Sequence, residues 1–150
     1  MAELNSKSAK PRSDKLGRLY WIASYSKPKS QLHEKRFYFN VDEEFKYYPF
    51  FSDFGPLTLS NIYVYCTEMK ALLANPKYEN CLLFHHTSRD TIRRTNSALL
   101  MGCYEILSLD RSAEEVKERW KDVKFRHYID ASHIKSTYKC YVSPIESMFN

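Results

Sequence analysis

Apolar positions along the chain recur with two periods, and the switches between them mark the elements. In "KRFYFNV", Phe37, Phe39 and Val41 alternate with Arg36, Tyr38 and Asn40, which is the period of a half-buried strand. The preceding "RLYWIASYS" is aromatic and β-prone, so two strands open the domain. "DEEFKYYPFFSDFGPL" then drops any period. Its acids, aromatics, Pro49, Gly55 and Pro56 predict a long structured loop with aromatic anchors. After Thr58, a candidate N-cap, Leu59, Ile62, Tyr63, Cys66, Met69 and Leu72 or Leu73 return at spacings of three and four. That predicts an amphipathic helix ending near "ANPK". "CLLFHH" is short and continuously apolar before its polar end, as in a strand buried mid-sheet. The polar loop "TSRDTI" follows, then a helix from about Arg93 to Leu107. "SAEEVKERW" makes another helix, with Ser112 and Glu115 spaced as a capping box. Residues 123–142 fit no single pattern. In "SPIE", Ser143 is placed as a cap, Pro144 at the first helical position and Glu146 at the third, so a helix begins there. Strands alternating with helices predict an α/β sandwich.

A length of 150 residues is about one domain, and 43% hydrophobic residues with twelve Tyr and nine Phe support a packed core. No apolar run approaches the ~20 residues of a membrane-spanning helix, and the amino terminus lacks a secretory apolar stretch. The chain is expected inside the cell, in nucleus and cytoplasm, with no membrane contact. The net charge of +5 is unevenly spread. Residues 1–36 carry nine Lys and Arg against three Asp and Glu, whereas residues 37–150 carry fourteen against fifteen. The basic excess belongs to "NSKSAKPRSDK", and residues 1–16 read as a disordered basic tail rather than a nucleic-acid surface. The expected organisation is this tail, a folded domain over 17–142, and the start of a linking helix over 143–150.

Cys66, Cys81, Cys103 and Cys140 form no C-x-x-C pair and are expected as reduced structural thiols. Cys81, His85 and His86 make one loose cluster, where structural zinc draws on two spaced pairs, so no metal and no cofactor are expected.

"FHHTSRDTIRRTNSALLMGCYEIL" has the outline of a catalytic loop opening a helix. A cysteine-dependent phosphatase places a Cys at the end of a buried strand, five loop residues, then an Arg entering a helix. Backbone N–H groups and the helix start cradle phosphate and lower the thiol pKa, while the Arg grips two oxygens. Here His86 stands in the nucleophile's place and Ile92 where the Arg belongs, with Arg93 and Arg94 one and two residues late. Upstream, "FSDFGPL" resembles the mobile acid loop of tyrosine phosphatases, with Asp53 in the acid's position.

"RFYFNVDEEFKYYPFFSDFGPLTLSNIYVYC" and "HHTSRDTIRRTNSALLMGCYEI" resemble the amino-terminal domain of the cell-division-cycle-fourteen dual-specificity phosphatases, from about Arg18 to Tyr138. The resemblance implies a dual-specificity-phosphatase-like sandwich, with a central mixed sheet flanked by helices and a degenerate phosphate loop. It implies a first domain without catalytic residues, paired with a second that bears the working Cys. Family substrates are phosphoserine followed by proline, held in a groove with an acidic wall. Asp42, Glu43 and Glu44, and Glu114 and Glu115, match acidic segments of the family and are candidates for that wall, against the reading that both are solvated surface. "SAEE" stands where the family has "TPEE". Asp53 reads as a loop-capping residue or a vestigial acid. His85 and His86 read as a polar strand end or, with Arg93 and Arg94, as residual anion binding. The function implied is a non-catalytic recognition and scaffold domain of a mitotic-exit phosphatase. Its partners would be a catalytic phosphatase domain in cis or trans and phosphoprotein substrates, with self-association through Ile145, Met148 and Phe149. The alternative is a cryptic enzyme using His86 or a displaced Cys.

Overall fold

In the computed structural model of the chain, residues 17–26 and 35–131 are described, together with the backbone of 12–13, 32–33 and 141–142. Strands β1 (Arg12–Ser13), β2 (Leu19–Ala23), β3 (Leu32–His33), β4 (Arg36–Phe39) and β5 (Leu82–Thr87) form one sheet in the order β1-β2-β5-β4-β3. The three central strands run parallel, and β1 and β3 are antiparallel edges, so the sheet is mixed. Helices α1 (Leu59–Ala74), α2 (Thr91–Leu109) and α3 (Ala113–Trp120) follow, with strands β6 (Tyr128–Ile129) and β7 (Tyr141–Val142) in a separate antiparallel pair. The expected tail over 1–16 and helix start over 143–150 lie outside the described residues, apart from the β1 backbone.

Register decides the two faces of the sheet. Leu19 aligns with Leu83 and Phe37, and Trp21 with His85 and Phe39, so these side chains share one face. All three helices pack on it. Tyr65, Cys66 and Met69 of α1, Ala98, Leu100, Met101 and Tyr104 of α2, and Val116 and Trp120 of α3 join Leu19, Trp21 and Leu83 in one buried cluster. Trp21 meets Trp120 edge-on at 5.1 Å. On the other face Tyr20, Phe84 and Tyr38 are in register, and their rings stack at 5.0 and 4.8 Å. Phe84 is thus sandwiched, which explains its burial on a face where the described residues place no helix.

Thr58 caps α1 and Ser112 caps α3, each through a complete capping box, with Asn61 and Glu115 as the reciprocal partners. Three details depart from the sequence pattern. Val41 is buried but lies beyond β4, where the chain turns and Phe45 N–H donates to the Val41 carbonyl. The core stripe of α1 is rotated: Leu59 and Tyr63 are exposed while Tyr65 is fully buried, because its hydroxyl reaches His85. Finally, β5 runs on to Thr87 and α2 starts at Thr91, because the Asp90 side chain accepts the Arg93 N–H and caps the helix two residues early.

Candidate functional site

In parallel sheets the carboxyl ends of the strands form the crevice where ligands bind. Here those ends are Ser24 after β2, Asn40 after β4 and His86–Thr87 closing β5, and the loop to α2 is only Ser88, Arg89 and Asp90. Several polar groups in this crevice that a phosphatase would turn toward phosphate are engaged within the chain.

His86, which the sequence pattern puts where a nucleophile is expected, lies between Ser24 and Asn40. Ser24 Oγ donates to the Ser26 carbonyl and therefore accepts from His86 Nε2–H at 2.8 Å, while Asn40 Nδ2 lies 3.4 Å from His86 Nδ1 and donates to the His86 carbonyl at 2.7 Å. The network assigns the Nε2–H tautomer, with the Nδ1 lone pair facing the Asn40 amide. His85 points into the core. Trp21 Nε1–H donates to Ser97 Oγ at 2.8 Å, which leaves the Ser97 proton for His85 Nε2 at 3.1 Å. His85 Nδ1–H then donates to Tyr65 Oη at 2.7 Å, and the Tyr65 proton faces Met101 Sδ. Burial lowers the His85 pKa to about 4, so the imidazole is neutral.

Asp42, a candidate acid of the groove, is buried. It accepts from Thr87 Oγ1 at 2.7 Å and from the Ser88 N–H at 2.9 Å. Its carboxylate thus occupies a backbone donor that would cradle phosphate, and Asp90 occupies another at the start of α2. Of the two arginines, Arg93 pairs with Glu43 at 2.8 Å, and Arg94 donates from Nη2 to the Lys124 carbonyl. The exposed Glu43 is also bonded to Lys46, whose hydrogen bond and the Arg93 charge hold its carboxyl below the ordinary range. Glu44 adjoins Glu68 of α1, which sequence reasoning passed over; burial and the Glu44 charge raise the Glu68 pKa.

The acid-loop position behaves as a loop organiser. Asp53 accepts from the Phe51 N–H at 2.8 Å and from the Tyr47 hydroxyl; these two bonds, in that order, keep its carboxyl acidic. Burial and Asp53 push Tyr47 up to about 12. Gly55 follows because the Tyr47 ring passes 3.3 Å from where a Cβ would stand. Phe54 is locked by paired backbone bonds with Ile129 at 3.0 and 2.7 Å. Across from Tyr47 stands the first turn of α2, and between them lies a cleft of about 260 Å³ lined by Phe45, Lys46, Tyr47, Asp90, Ile92, Arg93 and Asn96. Acid loop and degenerate loop therefore face one another.

The two acidic segments do not meet. Glu43 is tied to Arg93 near the start of α2, whereas Glu114 and Glu115 begin α3 just beyond its end, about 25 Å away at 1.5 Å per helical residue. Glu115 is spent on the Ser112 cap, where it accepts from the Ser112 N–H at 2.8 Å, and Glu114 is exposed. Two thiols are held in the protonated form: burial raises Cys66, and raises Cys103 to about 11. A missed feature is Glu105, fully buried on α2, with Arg119 at 3.0 Å and Arg111 at 3.8 Å. It falls on the stripe Ala98, Met101, Glu105, and that spacing was the available signal.

The family model described as "Dual specificity protein phosphatase, N-terminal half" matches residues 15–147. The zebrafish (Danio rerio) dual specificity protein phosphatase CDC14AB is 40% identical over 98 residues, covering 65% of this chain and 16% of that protein. Human (Homo sapiens) CDC14A is 36% identical over the same length, with 65% and 16% covered. The tyrosine-protein phosphatase CDC14 homolog of Schizosaccharomyces pombe is 29% identical over 92 residues, with 60% and 17% covered. The match spans about a sixth of each relative's length. The matching model spans most of the chain, and the strand, loop and helix follow in the order expected of the fold; the chain belongs to the family of the amino-terminal half of dual specificity protein phosphatases.

Proposed function

We propose that this chain is the non-catalytic recognition and scaffold half of a mitotic-exit-type dual-specificity phosphatase, working with a catalytic half in cis or trans in nucleus and cytoplasm. The observation that carries the reading is the internal occupation of the old phosphate site. Asp42 and Asp90 take backbone donors there, and both His86 nitrogens face protein partners. A nucleophile needs a free lone pair and a cradle for the transferred group; here both His86 nitrogens have neighbours and two of the cradle's donors are taken by carboxylates. The exposed Glu43, Glu44 and Glu114 then serve recognition, helping to hold phosphoserine-proline segments that carry a basic residue.

The chain alone is expected to leave an aryl phosphate unhydrolysed. Added to a matching catalytic half, it is expected to raise kcat/KM for a phosphoserine-proline peptide with a following lysine, and a Glu43→Gln/Glu44→Gln variant to raise it less. Turnover by the chain alone that His86→Ala abolishes would sink the reading. So would a catalytic half equally efficient with and without the chain.

A further inference from the structure

Beside the cleft between the acid loop and α2, the chain exposes a run of aromatic rings. Tyr48 is 79% exposed, Phe50 91% and Phe51 69%, although the loop that carries them is fastened at both ends. On the near side Phe45 is buried and its N–H donates to the Val41 carbonyl at 2.9 Å. On the far side Asp53 accepts from the Phe51 N–H and the Tyr47 hydroxyl, and the Tyr47 ring meets Phe54 edge-on at 5.6 Å. Pro49 restricts the backbone between them. A single exposed ring needs no account, but three within four residues on a held loop make an apolar patch that calls for a partner.

The neighbouring cleft is the complement of such a ring. Its volume is about 260 Å³, and Phe45, Tyr47 and Ile92 give it apolar walls. A cavity of ~150 Å³ already takes a benzene ring. Phe50 does not fill it, being almost wholly exposed, yet stands three residues from Tyr47 and so within ~10 Å of it along the chain. Projection and recess thus lie side by side on one surface. A two-fold pairing needs this layout, because each copy then offers a ring to the other's recess and a recess to the other's ring. At the rim, Lys46 and Arg93 are both bonded to Glu43, at 2.5 and 2.8 Å, so two such rims carry both signs and do not repel one another.

We infer that this surface is a contact between two copies of the chain, with Phe50 of each seated in the cleft of the other and Tyr48 and Phe51 packed around it. The area agrees. Aromatic side chains bury ~150–250 Å² each, so three bring roughly 500 Å² per copy and two copies about 1,000 Å², the lower bound of a specific interface. The dimer is therefore weak and concentration-dependent. A membrane surface is a poorer occupant, since Glu43, Glu44 and Asp53 on the same segment oppose anionic headgroups. The contact uses none of Ile145, Met148 and Phe149, and it does not require a catalytic half.

Sedimentation equilibrium of the 150-residue chain, from about 1 μM to about 1 mM, tests the pairing. A monomer–dimer equilibrium is expected, weakened about tenfold or more by Phe50→Ser and by Ile92→Trp, which fills the cleft. A mixture of the two variants is expected to associate more tightly than either alone, because one intact projection then meets one intact cleft. Misfolding of either variant would not produce that gain. A chain monomeric throughout, a dimer indifferent to Phe50→Ser, or a mixture no better than its components would overturn the proposal. Phe50-dependent binding to a matching catalytic half, or to phosphatidylserine vesicles, in place of the dimer would give the surface to that occupant and overturn it equally.

Discussion

Burial holds the His85 imidazole at a pKa of about 4, against about 6.5 in an unfolded chain, so folding excludes a proton between those values. The unfolded chain binds more protons there. Stability is therefore full above about pH 6.5 and falls as pH drops toward 4, by up to ~1.4 kcal/mol per pH unit and roughly 3 kcal/mol in all. Urea midpoints measured from pH 7 to 4 should show this, and His85→Gln should remove that part of the slope; an identical slope in the variant would dismiss the assignment. Glu105 is a buried carboxyl group facing the guanidinium groups of Arg119 and Arg111. Glu105→Ala leaves two arginines facing a cavity and should cost about 3–5 kcal/mol. A loss below 1 kcal/mol by urea denaturation would show that the two cations are satisfied without it.

At the scale of the elements, the junction of β5 and α2 is held from outside its own sequence, by a carboxylate three residues past β4. Asp42→Ala strands the Thr87 hydroxyl and the Ser88 N–H and should cost about 1–3 kcal/mol, with amide exchange quickening at 87–90 before it does in β2. Uniform quickening would mean that Asp42 merely contributes to global stability. Ser112→Ala removes one side of the α3 capping box and should cost about 1 kcal/mol by the same denaturation measurement; an unchanged midpoint would show that the cap adds nothing. That box was legible because both partners stand three residues apart. The role of Asp42 was not, because "DEE" reads as a solvated run and its donors lie more than forty residues away. For the same reason the rotation of α1 toward Tyr65 escaped periodicity: His85 sets it across the core, not a neighbour on the helix.

On the scale of the whole molecule, strand and helix order was legible because each element carries its own period or cap. The crevice was legible only in outline, since its chemistry depends on pairings between chain ends far apart in sequence. One buried cluster joins β2, β5 and all three helices, so the described core should unfold in a single step. Far-ultraviolet dichroism and fluorescence should give the same urea midpoint, and two separated transitions would contradict that. The edge-on contact of Trp21 and Trp120 bears on this, for these are the chain's two tryptophans and they join the sheet to α3. Two indoles 5.1 Å apart couple their electronic transitions, so the chain carries an internal ruler for that seam. A paired exciton band from the indoles' strong far-ultraviolet transition would report the docking of α3, and its loss would mark the parting of helix from sheet even while each keeps its own hydrogen bonds.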